Sequence, residues 1–156
     1  MKKSLKEIRE QAKSFYKKID SVYCPYFKEK IIFSSEGFNH LRYRGSRKER
    51  HFEVQKMRYK LLSLAPTLLK HSGTLQEHEV QNIFIELNIN KRRKKVLMKV
   101  HFFGFIAIIQ QWKIKVIVRQ IEKGKKHFWS VIPNWKTRKS KEKKILYRYT
   151  GNLAED

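Results

Sequence analysis

Apolar residues return every three or four positions between Lys3 and Ile19, where Leu5, Ile8, Ala12, Phe15, Tyr16 and Ile19 form one stripe. That spacing predicts an amphipathic helix with one buried face. Its other face carries Lys2, Lys6, Arg9, Lys13 and Lys17, a set suited either to solvent or to phosphate. The pattern changes after Asp20 and Ser21. Pro25 falls within Tyr23 to Phe33, and Ile31, Ile32 and Phe33 favour an extended backbone, so an extended lead-in and one short strand are expected. Ser34, Ser35 and Gly37 then predict a turn. Ser46 and Glu49 have the spacing of a capping box, and Val54, Met57, Leu61, Leu64, Ala65 and Leu68 follow at helical intervals. A second helix is predicted over about 47–64. Pro66 interrupts it, Thr67 to Lys70 add a further helical turn, and Ser72 and Gly73 end the helical half.

The remaining pattern is β-rich: Val80 to Leu87, Val96 to Gln110, Lys113 to Ile121 and Phe128 to Ile132. The connections between these runs leave no room for crossover helices, so consecutive strands should pair antiparallel. The expected fold is α+β, with N-terminal helices packed on a four-stranded antiparallel β-meander. It divides into a helix over 1–22, a central domain over 23–135, and a basic tail over 136–156 in which Ile145, Leu146, Tyr147 and Tyr149 could add a short strand. A two-residue turn at Lys123 and Gly124 pairs Val118 with Trp129, Ile117 with Ser130 and Val116 with Val131. One sheet face then holds Ile114, Val116, Val118, Trp129 and Val131. The other mixes Lys113, Lys115, Arg119, Lys126 and Ser130 with Ile117, Phe128 and Ile132. A three-residue turn exchanges the faces.

Charge narrows the function. The chain of 156 residues has 37 Lys and Arg against 14 Asp and Glu, a net +23 at pH 7. An excess of this size exceeds what solubility requires and implies a polyanionic partner: nucleic acid, an anionic membrane surface or an acidic protein. Cys24 is the single cysteine, which excludes an internal disulfide and predicts a reducing, cytoplasmic location. No segment has the run of apolar residues needed for a signal peptide or a membrane span. The six histidines show no metal-ligand spacing, and neither a glycine-rich phosphate loop nor a carboxylate pair stands out, so no metal or cofactor is expected.

The densest local chemistry is Gly37-Phe38-Asn39-His40-Leu41-Arg42-Tyr43-Arg44, where a histidine between glycine and arginines precedes the predicted helix containing His51. Cleaving RNA without a metal requires a proton acceptor for the 2′-hydroxyl, cations for the phosphorane and a proton donor for the departing 5′-oxygen. Histidine can act as acceptor or donor, and arginine offers a fork for two phosphate oxygens. The candidate catalytic set is therefore His40, Arg44, Arg119 and Ser130. Arg42, His51, Lys113, Lys115, Lys126 and Trp129 are candidates for holding RNA, since phosphates need cations and unstacked bases need flat surface. The structural alternatives are that His40 braces its turn, Arg44 pairs with Glu49 and Ser130 fills a strand position.

The basic helices, the GFNHLRYR segment and the run KIKVIVRQIEKGKKHFWSVIPNW together resemble the barnase, EndoU, colicin and RelE type of ribonuclease, especially its phage-borne and toxin-like members. The resemblance spans roughly Tyr23 to Trp135. It implies an RNA site on the exposed face of a four-stranded meander, with His40, Arg119 and Ser130 in the places of a turn histidine, a central-strand cation and a strand-end hydroxyl. It further implies RNA, free or ribosome-bound, as substrate, and an acidic antitoxin or immunity protein as partner. A non-catalytic RNA- or DNA-binding module using the same basic face is the competing reading. A protein that docks an acidic partner or a ribosome is a third.

Overall fold

The computed structural model describes residues 2–45, 48–134 and 151–156. Helix α1, Leu5–Ile19, is capped by the Ser4 hydroxyl, which accepts from the Glu7 amide at 3.2 Å. A hairpin of β1 (Ser21–Cys24) and β2 (Glu29–Ile32) follows, where one short strand was expected. The predicted turn around Gly37 is a helix, α2, Ser35–Arg42. Two short paired strands, β3 (Tyr43–Arg44) and β4 (Lys48–Glu49), lead to α3, Phe52–Leu62, and then α4, Ala65–Lys70, which carries Pro66 in its first turn.

The expected capping box is replaced by other contacts. Ser46 and Arg47 lie outside the described residues, Glu49 pairs in β4, and α3 starts only at Phe52. His51 caps it, its Nδ1 accepting from the Glu53 amide at 3.3 Å.

The long strands β5 (Glu77–Ile89), β6 (Arg92–Ile109), β7 (Trp112–Ile121) and β8 (Lys126–Pro133) form the expected antiparallel meander. Among the described residues the sheet has six strands rather than four, in the order β1-β2-β8-β7-β6-β5, because β2 joins β8 in parallel through Ile32 and His127. The β5–β6 and β6–β7 turns place Asn90 and Lys91, then Gln110 and Gln111, at positive φ. Consecutive left-handed residues of this kind match the right-handed twist of a two-residue hairpin. The proposed tail strand at Ile145 to Tyr149, the tail cations at 136–144 and the domain boundary at Trp135 fall outside the described residues.

Two apolar clusters hold the sheet. The larger packs Ala12, Tyr16, Phe38, Leu41, Leu62 and Leu69 of the helices against Phe103, Phe105, Val116, Val118 and Phe128. The smaller lies on the opposite face, where Val100, Phe102 and Ile117 meet Leu153, with Trp129 against it. The expected β7–β8 register holds at Val116↔Val131 and Ile117↔Ser130, then slips by one residue, so that Val118 pairs with Phe128 and Arg119 with His127. Trp129 is the extra residue of this bulge. The face assignment is corrected accordingly: Phe128 and Lys126 belong to the helical side, and Trp129 to the other. Phe128 stacks on Phe33 at 4.8 Å, and Lys126 pairs with Glu29 and lies 4.7 Å from the centre of the Phe27 ring.

Helix α2 lies along β8, with Phe38 and Leu41 in the larger cluster and His40 against Trp129. The approach depends on Gly37, because a Cβ there would stand 2.2 Å from the Phe128 carbonyl oxygen. Tyr16 fixes the start of the helix by donating to the Ser34 carbonyl at 2.6 Å. Gly37→Ala must push α2 off the strand. The expected cost is about 2 kcal/mol, in the range of overpacked cores, read as a lower denaturation midpoint in urea. An unchanged midpoint contradicts the close approach.

Candidate functional site

Along the edge of β8 an open cleft of about 1130 Å³ is lined by Glu36, Asn39, His40, Tyr43, Arg44, Gly45, Lys48, Glu49, Trp129, Ala154 and Glu155. Helix α2 supplies His40 and the β3–β4 hairpin supplies Arg44. The bulge turns Trp129 into the same space. His40 and Trp129 stack at 4.0 Å and 20°, and the Arg119 guanidinium lies 4.0 Å from the centre of the Trp129 ring. Three members of the expected set, His40, Arg44 and Arg119, therefore gather around one indole and its rim.

Ser130 does not join them. It is fully buried, accepts from Arg58 at 2.7 Å and donates to the main-chain oxygen of Asp156 at 2.7 Å. Arg58, itself buried, also donates to that oxygen. The hydroxyl is thus a link in an internal network tying α3, β8 and residues 151–156 together. Being opposite Ile117 puts Ser130 on the anticipated face, but that face is covered here by Leu153.

His40 is only 7% exposed. Arg50 donates to its carbonyl at 3.0 Å and lies 3.1 Å from its Nε2. Guanidinium has no acceptor, so Nε2 must accept and the ring proton must reside on Nδ1. Burial, then the positive fields of Arg50, Arg58 and Arg119, push the His40 pKa well below its ordinary value and keep the ring neutral. Its lone pair is committed to Arg50. In this arrangement His40 acts as a brace between α2, Trp129 and Arg50. Burial and the nearby Arg44 lower Arg50 to about 10, which leaves it charged at neutral pH.

The other anticipated cations mostly have carboxylate partners. Arg119 pairs with Glu36, Arg44 with Glu155 at 3.5 Å, and Lys115 with Glu77 at 3.0 Å. Arg42, not Arg44, takes Glu49, through both Nε and Nη2. Lys113 stands opposite Ile108 near the far end of β7, and His51 is the α3 cap, its ring tilted against Phe52 at 4.6 Å.

One residue outside the expected set belongs with Arg119. His127 is its cross-strand partner across the bulge, and a second, smaller depression is lined by Ser34, Ser35, Glu36, Arg119 and His127. The His127 Nδ1 is buried with no partner among the described residues. Burial first, then Arg119, lower its pKa, while Glu36 acts in the opposite direction. Imidazole, guanidinium and carboxylate thus border one depression formed by β7, β8 and the start of α2. A three-residue β-turn register would have exposed the pairing of Arg119 with His127 in the sequence; the two-residue turn hid it.

Compared with protein-family models, curated proteins and solved structures, the chain matches none of them. No helix among the described residues is long and apolar enough to cross a membrane, and no group of three or more potential metal ligands occurs among them.

The depressed His40 pKa makes stability fall with acid. Between the folded value and the unfolded value of about 6.5, only the unfolded chain takes up the proton, so the contribution present above that pH is lost as pH drops below it. His101 and His127 are shifted in the same direction. Urea unfolding should therefore give a lower stability at pH 5 than at pH 7.5, and His40→Phe should shrink the difference without removing it. An equal loss in the variant and the parent refutes the placement of His40.

Proposed function

We propose that the chain is a metal-independent endoribonuclease whose working groups are Arg119 and His127, with His40 and Trp129 as their support. The observation that carries this reading is the cross-strand pairing of Arg119 with His127 beside the Glu36 carboxylate. Neutral imidazole suits proton uptake from a 2′-hydroxyl, and the depressed pKa of His127 keeps it neutral near pH 7. The 2′-oxygen then bonds to phosphorus, the bond to the 5′-oxygen breaks, and the imidazolium returns its proton to that leaving oxygen. The products are a 2′,3′-cyclic phosphate and a 5′-hydroxyl. Arg119 spreads the phosphorane charge over two oxygens once the phosphate has taken the fork now held by Glu36. Trp129 fixes the guanidinium from one side, and Arg44 and Lys48 at the rim attract the backbone.

A toxin-like role fits the same reading, and an acidic antitoxin or immunity protein would cover the cations that a substrate uses. The second reading, a non-catalytic RNA-binding protein, is favoured by the commitment of His40 Nε2 to Arg50 and by the carboxylates already seated on Arg44 and Arg119.

Total RNA incubated in EDTA with the purified chain separates the two. The ribonuclease yields fragments ending in 2′,3′-cyclic phosphate, with a rate that rises as pH passes upward through the His127 pKa and levels off by pH 7. His127→Ala and Arg119→Ala should each slow cleavage by roughly 10²–10⁴-fold. Intact RNA with the parent chain at every pH, or undiminished cleavage in both variants, rejects the proposed chemistry.

A further inference from the structure

The sheet extends well beyond its own body on one side. Pairing of β6 with β7 ends at Val100 and Ile121, yet β5 and β6 continue together for eight more pairs from Asn82↔Lys99 to Ile89↔Arg92. At about 3.3 Å per residue this is a two-stranded ribbon roughly 26 Å long, with no third strand beside it among the described residues. Isolated ribbons are marginal unless cross-strand side chains hold them. Here Ile85 faces Val96, Ile83 faces Met98, and Phe84 faces Leu97.

The end of this ribbon has a different charge state from the cleft. Lys91, Arg92, Arg93, Lys94 and Lys95 are consecutive, all exposed, and none has a carboxylate partner among the described residues. Glu86, across from Lys95, is the one acid between residues 81 and 99. Strand alternation sends Arg92 and Lys94 to one face and Arg93 and Lys95 to the other. A single strand of polyanion could engage only one of these faces. Cations on both faces and at the tip fit a groove bordered by two phosphate backbones.

We infer that the β5–β6 ribbon is an arm that grips double-stranded RNA, its tip lying between the two phosphate strands of a stem. The choice of RNA over DNA rests on the reading of the Arg119–His127 depression as RNA-cleaving; the arm itself does not. The arm continues β6, the neighbour of β7, and Arg119 of β7 pairs with Phe102 close to where the arm begins, so a stem held on it leaves an adjoining unpaired stretch beside the Arg119–His127 depression. Arm and cleft divide the work: unneutralised cations supply affinity, and the paired arginines act only where a phosphate displaces a carboxylate.

The test is fluorescence anisotropy with a 20-base-pair RNA duplex, 2′-O-methylated so that no nucleophile remains, against the full chain and its Arg92→Ala/Arg93→Ala/Lys94→Ala/Lys95→Ala variant. The parent should bind with strong salt dependence. The variant should lose at least tenfold in affinity, and its log–log salt slope should fall by about 3.6, roughly 0.9 for each of the four phosphate contacts removed. Replacing the two arginines by lysine should restore most of the slope, because charge rather than fork geometry carries the contact. Its cutting of a short single-stranded RNA should stay at the parent rate. Equal duplex affinity in parent and variant overturns the arm. A DNA duplex bound tenfold tighter than the RNA duplex overturns RNA as its occupant. Arm-dependent duplex binding by a parent chain that cuts no RNA supports the arm and rejects the reading of the Arg119–His127 depression.

Discussion

Strand β8 contains one residue more than its partner can pair, and most of the site depends on where that residue goes. With Ile117 opposite Ser130 and Val118 opposite Phe128, Trp129 is expelled to the face away from the large cluster. There its indole gives His40 a ring to stack on and Arg119 a π-face to lie over. The same slip turns Phe128 inward onto Phe33 and brings its carbonyl against Gly37. Core, helix placement and cleft are thus three results of one bulge.

The electrostatics divide along the degree of burial. Cations close to the sheet body lie near low-dielectric surroundings, where an unpaired charge is costly, and they have partners: Arg119 with Glu36, Lys115 with Glu77, Lys126 with Glu29. Arg58 is held differently, its Nη1 donating to Ser130 and to the Asp156 main chain. The cations of the ribbon end stay in water, with no carboxylate partner among the described residues. In a chain with only 14 acids for 37 bases, the half-buried cations Arg119, Lys115 and Lys126 each have a carboxylate, while the ribbon end has none among the described residues.

Several features were legible from local pattern. The 3.6-residue stripe located α1 to within two residues, and Pro66 marked the division between α3 and α4. The apolar runs located the central parts of β5 to β8 and their antiparallel order. Reading failed where polarity or a single residue decided the matter. Arg92 to Lys95 read as a loop because four cations carry no alternation, yet they are strand, paired with Glu86 to Ile89. The GFNH segment read as a turn because glycine is a poor helix former; Gly37 is needed there for close approach to Phe128, not for turning the chain. Ser130 read as a site hydroxyl because its face was correct, but the cover provided by Leu153 and the Asp156 main chain comes from residues more than twenty positions away.

By itself the sequence determined the class of fold, the excess of positive charge and the positions of most elements, because periodicity, capping and net charge are properties of neighbouring residues. Only the tertiary structure decided that β1 and β2 join the meander, that His40 is a buried brace, and that His127 rather than Ser130 stands beside Arg119. Those outcomes depend on a one-residue slip between two strands and on which distant side chains cover each face. A slip of that kind leaves local pattern almost unchanged while exchanging the side of the sheet to which every residue beyond it points.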